Sequence, residues 1–166
     1  MRDEEFLRNK VPMTKSEVRA ISIDKLDLSN KKSMLDVGAG TGSISIQAAR
    51  EFKQLAVTAV EMNPDGIDII QQNINKFGLN NIKLIQGTAP ADIPDQKYDA
   101  IFVGGSGAHL NEIIRFASTH LTEGGVIGLN FILFENAMQV EKLLQDNGFK
   151  EIELIEVGVL RWHKLG

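Results

Sequence analysis

The stretch LDVGAGTGSIS, residues 35–45, decides how this chain is read. Gly38, Gly40 and Gly42 fall on alternate positions, an apolar run closing on Asp36 and Val37 precedes them, and a helix-period segment follows. A glycine-rich turn between a strand and a helix lets a ligand approach the backbone and points free amides and the positive end of a helix dipole at it. A dinucleotide fingerprint would read G-x-G-x-x-G; here Ser43 stands where its third glycine would be. The wider turn suits an amino-acid tail better than a pyrophosphate. No Gly-Lys-Ser/Thr follows, so it is not a P-loop. Asp36 has the wrong sign for a phosphate and the right one for an ammonium or sulfonium group.

Outward from that turn, apolar runs alternate with helix-period segments, the mark of a parallel sheet with crossover helices. Strands are expected at SMLDVG (33–38), LAVTAVEM (55–62), IKLIQG (82–87), YDAIFVGG (98–105), GGVIGLNFIL (124–133) and KEIELIEVGVL (150–160). Helices are expected between them at about 43–52, 64–77, 109–121 and 134–147. Asn63 reads as an N-cap with Pro64 at the first helical position, and Gly78 and Gly148 sit where C-terminal glycines belong. Ahead of the sheet, Thr14 and Glu17 match a capping box, opening an amphipathic helix with Val18, Ile21 and Leu26 on its apolar stripe. The whole is one domain over 1–166: an N-terminal cap-helix region (1–32) and a Rossmann-like α/β core (33–166).

Composition narrows the class. Hydrophobic and charged contents of 43% and 24% are those of an ordinary globular chain. No segment has the apolar length of a membrane span, and MRDEEFLRNK is too charged to open a signal peptide. Without cysteine there is no disulfide, thiolate metal site or cysteine nucleophile, and a cytoplasmic setting is the default expectation. The net charge of −4 divides into +2 over residues 1–32 and −6 over the remainder. With a pI near 5.4 the chain lacks the basic balance of a large nucleic-acid footprint, and neither a nucleic-acid nor a membrane partner is expected. No metal-ligand cluster stands out.

Two further acids complete a ligand set. Glu61 closes the second strand, 23 residues after Gly38, where a carboxylate can accept both hydroxyls of a ribose. The end of the third strand, QGTAPADI, supplies Gly87, Thr88 and Ala89 and the acid Asp92, in the place of an adenine edge. Turn, acid and third-strand loop, in this order and at these intervals, resemble the class I S-adenosylmethionine-dependent methyltransferases over almost the whole chain. That resemblance implies a doubly wound, mostly parallel sheet. It usually ends in a seventh, antiparallel strand paired with the sixth, which is missing from this sequence.

The fourth-strand loop separates subfamilies. Many amino-methyltransferases carry Asn/Asp-Pro-Pro-Tyr/Phe there, whereas this chain has VGGSGAHL (103–110), with no amide or acid to orient an amine and room for something bulky and flat. Together with RDEEFLRNKVPMTKSEVRA and LDVGAGTGSISIQAA, this loop is similar to the precorrin methyltransferases of cobalamin biosynthesis, which methylate carbon 15 and decarboxylate the ring-C acetate. The resemblance implies cobalt-precorrin-7, or its cobalt-free counterpart, as an anionic tetrapyrrole substrate, and a homotetramer as the assembly. It implies S-adenosylmethionine as cofactor, held by Thr14, Asp36, Gly38, Ala39, Gly40, Thr41, Gly42, Glu61, Thr88, Ala89 and Gly104. Arg8, Arg19, Gly105 and Ser106 are the expected substrate contacts, the arginines as carboxylate clamps. Lys10, Lys15, Arg2, Arg161, His163 and Lys164 are further cationic candidates.

No catalytic acid or base is assigned. His109, His120, Ser106 and Glu135 each have an ordinary structural role open to them. A tRNA adenine methyltransferase and a non-catalytic cofactor-binding subunit are the alternative readings.

Overall fold

A computed structural model describes residues 1–131 and 134–162. Five strands, β1 (Ser33–Val37), β2 (Ala56–Glu61), β3 (Ile82–Gln86), β4 (Tyr98–Val103) and β5 (Leu121–Leu129), form one sheet in the order β3-β2-β1-β4-β5. Every pairing is parallel. Helices α2 (Ser43–Glu51), α3 (Pro64–Phe77), α4 (Leu110–His120) and α5 (Phe134–Asp146) alternate with the strands, and α1 (Ser16–Lys25) precedes them. None of these helices is long and apolar enough to cross a membrane.

A strand covered on both faces reads as a continuous apolar run, which is why β1 and β4 carry so few polar residues. Met34, Ala100 and Phe102 point to the face covered by α1, α2 and α3. Leu35, Val37, Ile101 and Val103 point to the other, against Ile113 and Ala117 of α4. The punctuation falls as expected. The Asn63 side chain accepts the Asp65 amide at 2.9 Å, and Gly78 ends α3 at φ 61°.

Register decides where the chemistry lies. Val60, Val37, Val103 and Leu129 stand in one row across β2, β1, β4 and β5. The next residue of each chain is Glu61, Gly38, Gly104 and Asn130, all at the carboxyl ends of the strands. The strand order reverses between β1 and β4, and open sheets of this kind hold ligands at that crevice.

The first fifteen residues form a belt across α2 and α3. Leu7 exchanges backbone bonds with the buried Asn73 side chain (2.8 and 3.1 Å), and the Phe6 ring meets Phe77 edge-on at 5.5 Å. Arg19 of α1 fastens the belt from beneath. It is completely buried, and its guanidinium donates to Gln47 Oε1 (2.7 Å), Asp3 Oδ1 (3.2 Å) and the carbonyls of Thr14 (2.6 Å) and Met1 (2.8 Å). Phe6 lies against its face at 4.9 Å. This corrects the expectation of a substrate clamp at Arg19: no part of the group reaches solvent or a cavity. The capping box is corrected too. Lys15 is the N-cap of α1, with no side-chain cap bond. The Thr14 carbonyl serves Arg19, and Glu17 pairs with Arg161.

The expected strand at 150–160 is also corrected. Glu151 takes a left-handed φ of 56°, which turns the chain out of line after α5, and the following residues pair with no strand. They are held along α1 instead, by Lys25–Glu153 (2.6 Å) at one end and Arg161–Glu17 at the other.

Removing one partner of a buried ion pair strands the other charge, at a cost of about 3–5 kcal/mol. Arg19→Met leaves Asp3 only its longer pairs with Arg161 (3.6 Å) and Lys15 (4.0 Å), and is expected to lower the unfolding free energy in urea by about 3 kcal/mol, the lower end of that range. Adding Asp3→Asn should recover part of that loss, because the two residues act as one network.

Candidate active site

At the switch point two glycine turns touch. Val37 ends β1, and its carbonyl accepts the amides of Gly104 (3.0 Å) and Gly105 (3.3 Å) from the turn after β4. A Cβ on Gly38 would lie 2.8 Å from the Gly105 Cα, and Gly38 itself sits at φ 67°. The turn after β1 thus needs a residue without a side chain twice over, for its conformation and for this contact. Gly42, at φ 70°, lets Ile70 of α3 pack down, since a Cβ there would come within 2.8 Å of the Ile70 side chain.

Glu61 and Gly40 are bonded directly. Glu61 Oε2 accepts the Gly40 amide at 2.7 Å and Oε1 accepts the Asn63 amide at 2.8 Å. Gly66 makes room for this arrangement: a Cβ there would stand 2.7 Å from the Glu61 Cγ and 2.8 Å from the Gly40 carbonyl. With about four lone-pair directions on the carboxylate, two remain for other donors.

Asp36 is in a different state. It is 1% exposed; Oδ2 accepts the Ser45 hydroxyl at 2.5 Å, and Oδ1 has no partner. Burial pushes its pKa up to about 6; the Ser45 bonds act against this shift, and the charge of Glu61 adds to it.

A cavity of about 1220 Å³ opens beside these groups. It is walled by Pro12 to Thr14 of the belt, Val18 and Ser22 of α1, Gly38 to Thr41, Gly104, and the end of β5 with Asn130 and Phe131. The belt comes close to the glycine turn, with the Pro12 carbonyl 3.5 Å from where a Gly40 Cβ would be. Of the expected cofactor residues, Thr14, Asp36, Gly38, Ala39, Gly40, Thr41 and Gly104 line this space. Gly42 and Glu61 support the same turn from behind.

Thr88 and Ala89 stand apart from it. Their loop is closed by Asp92, whose Oδ2 accepts the Thr88 amide at 2.7 Å. Gly105 abuts Gly38, while Ser106 and the exposed Arg8 do not border the cavity. His109 begins α4 with no cap bond, and His120 meets Asp95 at 3.0 Å and stacks on Phe116. The Glu135 side chain, His163 and Lys164 lie outside the described residues. Ser22, Gly66 and Asn130 were not singled out from sequence. For Asn130 the signal is its place, directly after an apolar run and level with Glu61.

Residues 5–166 match the family model described as a precorrin methyltransferase domain. The chain is 48% identical over 137 residues to a cobalt-precorrin-6B C(15)-methyltransferase (decarboxylating) of Salmonella typhimurium, covering 82% of this chain and 71% of that one. It is 39% identical to a probable enzyme of the same name from Sulfolobus acidocaldarius, covering 98% of this chain and 85% of that one. The crystal structure of a precorrin-6y C5,15-methyltransferase from Geobacter metallireducens superposes with a TM-score of 0.85 at 36% identity, over 90% of this chain and 80% of that one. The family model's match over residues 5–166, with 48% and 39% identity to these enzymes, places the chain in the precorrin methyltransferase family.

Proposed function

We propose that this chain transfers the methyl group of S-adenosylmethionine to carbon 15 of cobalt-precorrin-6B and removes the ring-C acetate carboxylate as carbon dioxide, in cobalamin biosynthesis. The observation that carries the reading is the 48% identity to the Salmonella enzyme over 137 residues. The substrate follows the name of that relative, in place of the cobalt-precorrin-7 expected from the sequence.

The site fits the cofactor in three respects. Asp36 Oδ1 is a buried acceptor without a donor, suited to an ammonium group. Gly40 presents bare backbone to the cavity, a Cβ there meeting only the Pro12 carbonyl at 3.5 Å, while Gly38 and Gly42 give the turn its close contacts with Gly105 and Ile70. Glu61 is held rigid by two amides and keeps acceptor directions for ribose hydroxyls. Bound S-adenosylmethionine supplies an electrophilic methyl group on a sulfonium. The protein's part is to orient and desolvate: the belt and α1 wall the cavity with Pro12, Met13, Val18 and Ile21. We extend the reading to a homotetramer in the cytoplasm. A cysteine-free chain suits a reducing compartment, and the exposed apolar side chains of Leu154, Leu160 and Trp162 are surface an assembly would cover.

Anaerobic incubation with cobalt-precorrin-6B and S-adenosylmethionine, followed by mass spectrometry, should give a ring that has gained a methyl group and lost carbon dioxide. An unchanged ring, with cofactor bound, overturns the reading.

Asp36 gives a prediction of opposite signs. Its folded pKa, about 6, lies above the ordinary 3.8, so the folded state holds the proton more tightly. Stability is therefore lost as pH rises from about 4 to about 6, leaving a cost of about 3 kcal/mol at neutral pH. Asp36→Asn should raise the thermal midpoint of the cofactor-free protein at neutral pH and abolish that pH dependence. The same substitution should weaken S-adenosylmethionine binding in calorimetry by about tenfold or more, since a charge-assisted contact contributes about 1.5–3 kcal/mol. Glu61→Gln should weaken binding by a similar factor without the gain in stability, because the Glu61 carboxylate is already satisfied by amides.

A further inference from the structure

Asn130 borders the cavity at the end of the sheet farthest from Glu61. It follows β5 directly, its amide continuing the ladder to the Val103 carbonyl at 3.1 Å. It stands level with Glu61, Gly38 and Gly104, and side chains two residues apart on a strand share a face, so Asn130 points to the side from which α1 covers the sheet. Gly128 explains how α1 comes so close. A Cβ on Gly128 would be 3.1 Å from the Leu26 side chain, so the bare backbone lets Leu26 sit on the strand. One turn earlier in α1, Ser22 then lies over Asn130.

The Asn130 Nδ2 donates to Ser22 Oγ at 3.0 Å, and Ser22 Oγ donates to the Val18 carbonyl at 2.9 Å. This chain of donors fixes the amide's orientation. Among the described residues its side chain has no polar partner but Ser22, whose Oγ also lies 3.3 Å from the carbonyl oxygen, so the second N–H remains for a ligand. Both Asn130 and Ser22 border the cavity that also reaches the glycine turn. Asn130 is on the β5 side of the switch point, away from Glu61, and therefore on the acceptor's side. Val18 and Ile21 of α1 add apolar side chains to the cavity on this face, while Leu129 and Phe131 pack with α4 and α5 on the other. Of the lysines on the cavity wall, Lys25 is committed to Glu153 at 2.6 Å and Lys150 lies beyond α5.

We propose that Asn130, held by Ser22, receives the acetate carboxylate that the acceptor ring loses as carbon dioxide. The assignment rests on the decarboxylating reaction proposed above and adds the residue that handles its second half. In that step the bond between the acetate methylene and the carboxylate breaks, and its electron pair passes into the conjugated macrocycle. Carbon dioxide leaves, and the methylene takes one proton from water to become a methyl group. A cation at this point would stabilise the carboxylate and oppose its loss. A neutral amide in an apolar wall orients the carboxylate without that stabilisation, so the charge is relieved as it delocalises into the ring.

The test compares wild type, Asn130→Ala and the isosteric Asn130→Asp with cobalt-precorrin-6B under anaerobic conditions. It reads the ratio of methylated, decarboxylated ring to methylated ring that keeps its carboxylate. S-adenosylhomocysteine affinity is measured alongside. Asn130→Ala should lower the decarboxylated fraction about tenfold or more, the effect of removing an orienting donor, and leave S-adenosylhomocysteine affinity unchanged. Asn130→Asp, which keeps the shape and places a negative charge against the acetate, should weaken ring binding to the S-adenosylhomocysteine complex by a similar factor, and it carries the test should the alanine variant fail to fold. A wild-type product ratio and wild-type ring binding in the variants, or equal loss of methylation and decarboxylation in Asn130→Ala, overturns the assignment while leaving the reaction intact. A wild type that leaves the ring unchanged overturns the reaction itself, and with it the role of Asn130.

Discussion

The backbone contact between the turns after β1 and β4 is the constraint on which the site depends. The Val37 carbonyl binds the Gly104 and Gly105 amides, and Gly38 rests against Gly105 with no room for a methyl group. The crevice at the switch point is therefore closed by main chain, and no ligand can pass between the two turns. The available space is displaced to the α1 side, where Pro12, Val18 and Ser22 wall it. A fold that otherwise leaves its strand ends open thus acquires a covered cavity, and the covering comes from the N-terminal region.

That cover is held by polar chemistry. The belt has only one short 3-10 turn of regular structure, at Asp3–Glu5, and isolated chain of this kind would lose little by detaching. Asn73 and Arg19 oppose it through buried groups that bond the belt, Asn73 to the Leu7 backbone and Arg19 to Asp3 and the carbonyls of Met1 and Thr14. Four of the Arg19 contacts reach Gln47, Asp3 and two backbone carbonyls, and planar guanidinium suits such divergent partners where an ammonium would not. A buried pair adds little net stability over an apolar replacement, but it penalises every arrangement in which one partner is missing. Here that penalty fixes the path of the chain from Met1 to Thr14, and hence the position of Pro12 over Gly40.

Much of this was legible in the sequence because strands and helices announce themselves by period, and caps by single residues. The four crossover helices, Asn63, Gly78 and the five parallel strands fall within a few residues of their expected places. The turn at Gly38–Gly42 beside the cavity was legible because the spacing of the glycines restricts the conformation they form. What failed was local chemistry with a competitor elsewhere. Thr14 and Glu17 have the capping-box spacing, but Arg19 takes the Thr14 carbonyl and Arg161 takes Glu17. Arg19 looked like a clamp because an arginine on an amphipathic helix is usually solvated, and nothing in the spacing shows that Asp3 will fold back beneath it. Residues 150–160 alternate as a strand should, yet alternation specifies a face and not a partner, and the left-handed Glu151 sends them along α1. Asn130 was hidden inside an apolar run, where its importance depends on register with strands far away in sequence.

The polar groups at the strand ends differ in how far the protein itself satisfies them, and that difference sorts their tasks. Glu61 is held by two amides, one from the turn after β1 and one from its own loop, and keeps two acceptor directions; it is a rigid acceptor whose geometry is set before any ligand arrives, and preorganisation of this kind reduces the cost of binding. Asp36 is half satisfied and buried, so the folded protein holds it in a state that a cation would relieve. Such local instability is tolerated only where the surrounding core is well packed, and Asp36 lies between Leu35 and Val37, both fully buried. Asn130 carries no charge and is fixed by a single hydroxyl. Across one edge of the sheet the site therefore passes from a fixed anion, through an anion lacking a partner, to a neutral dipole. The first two suit a cationic ligand that should stay bound, and the last suits an anionic group that must leave.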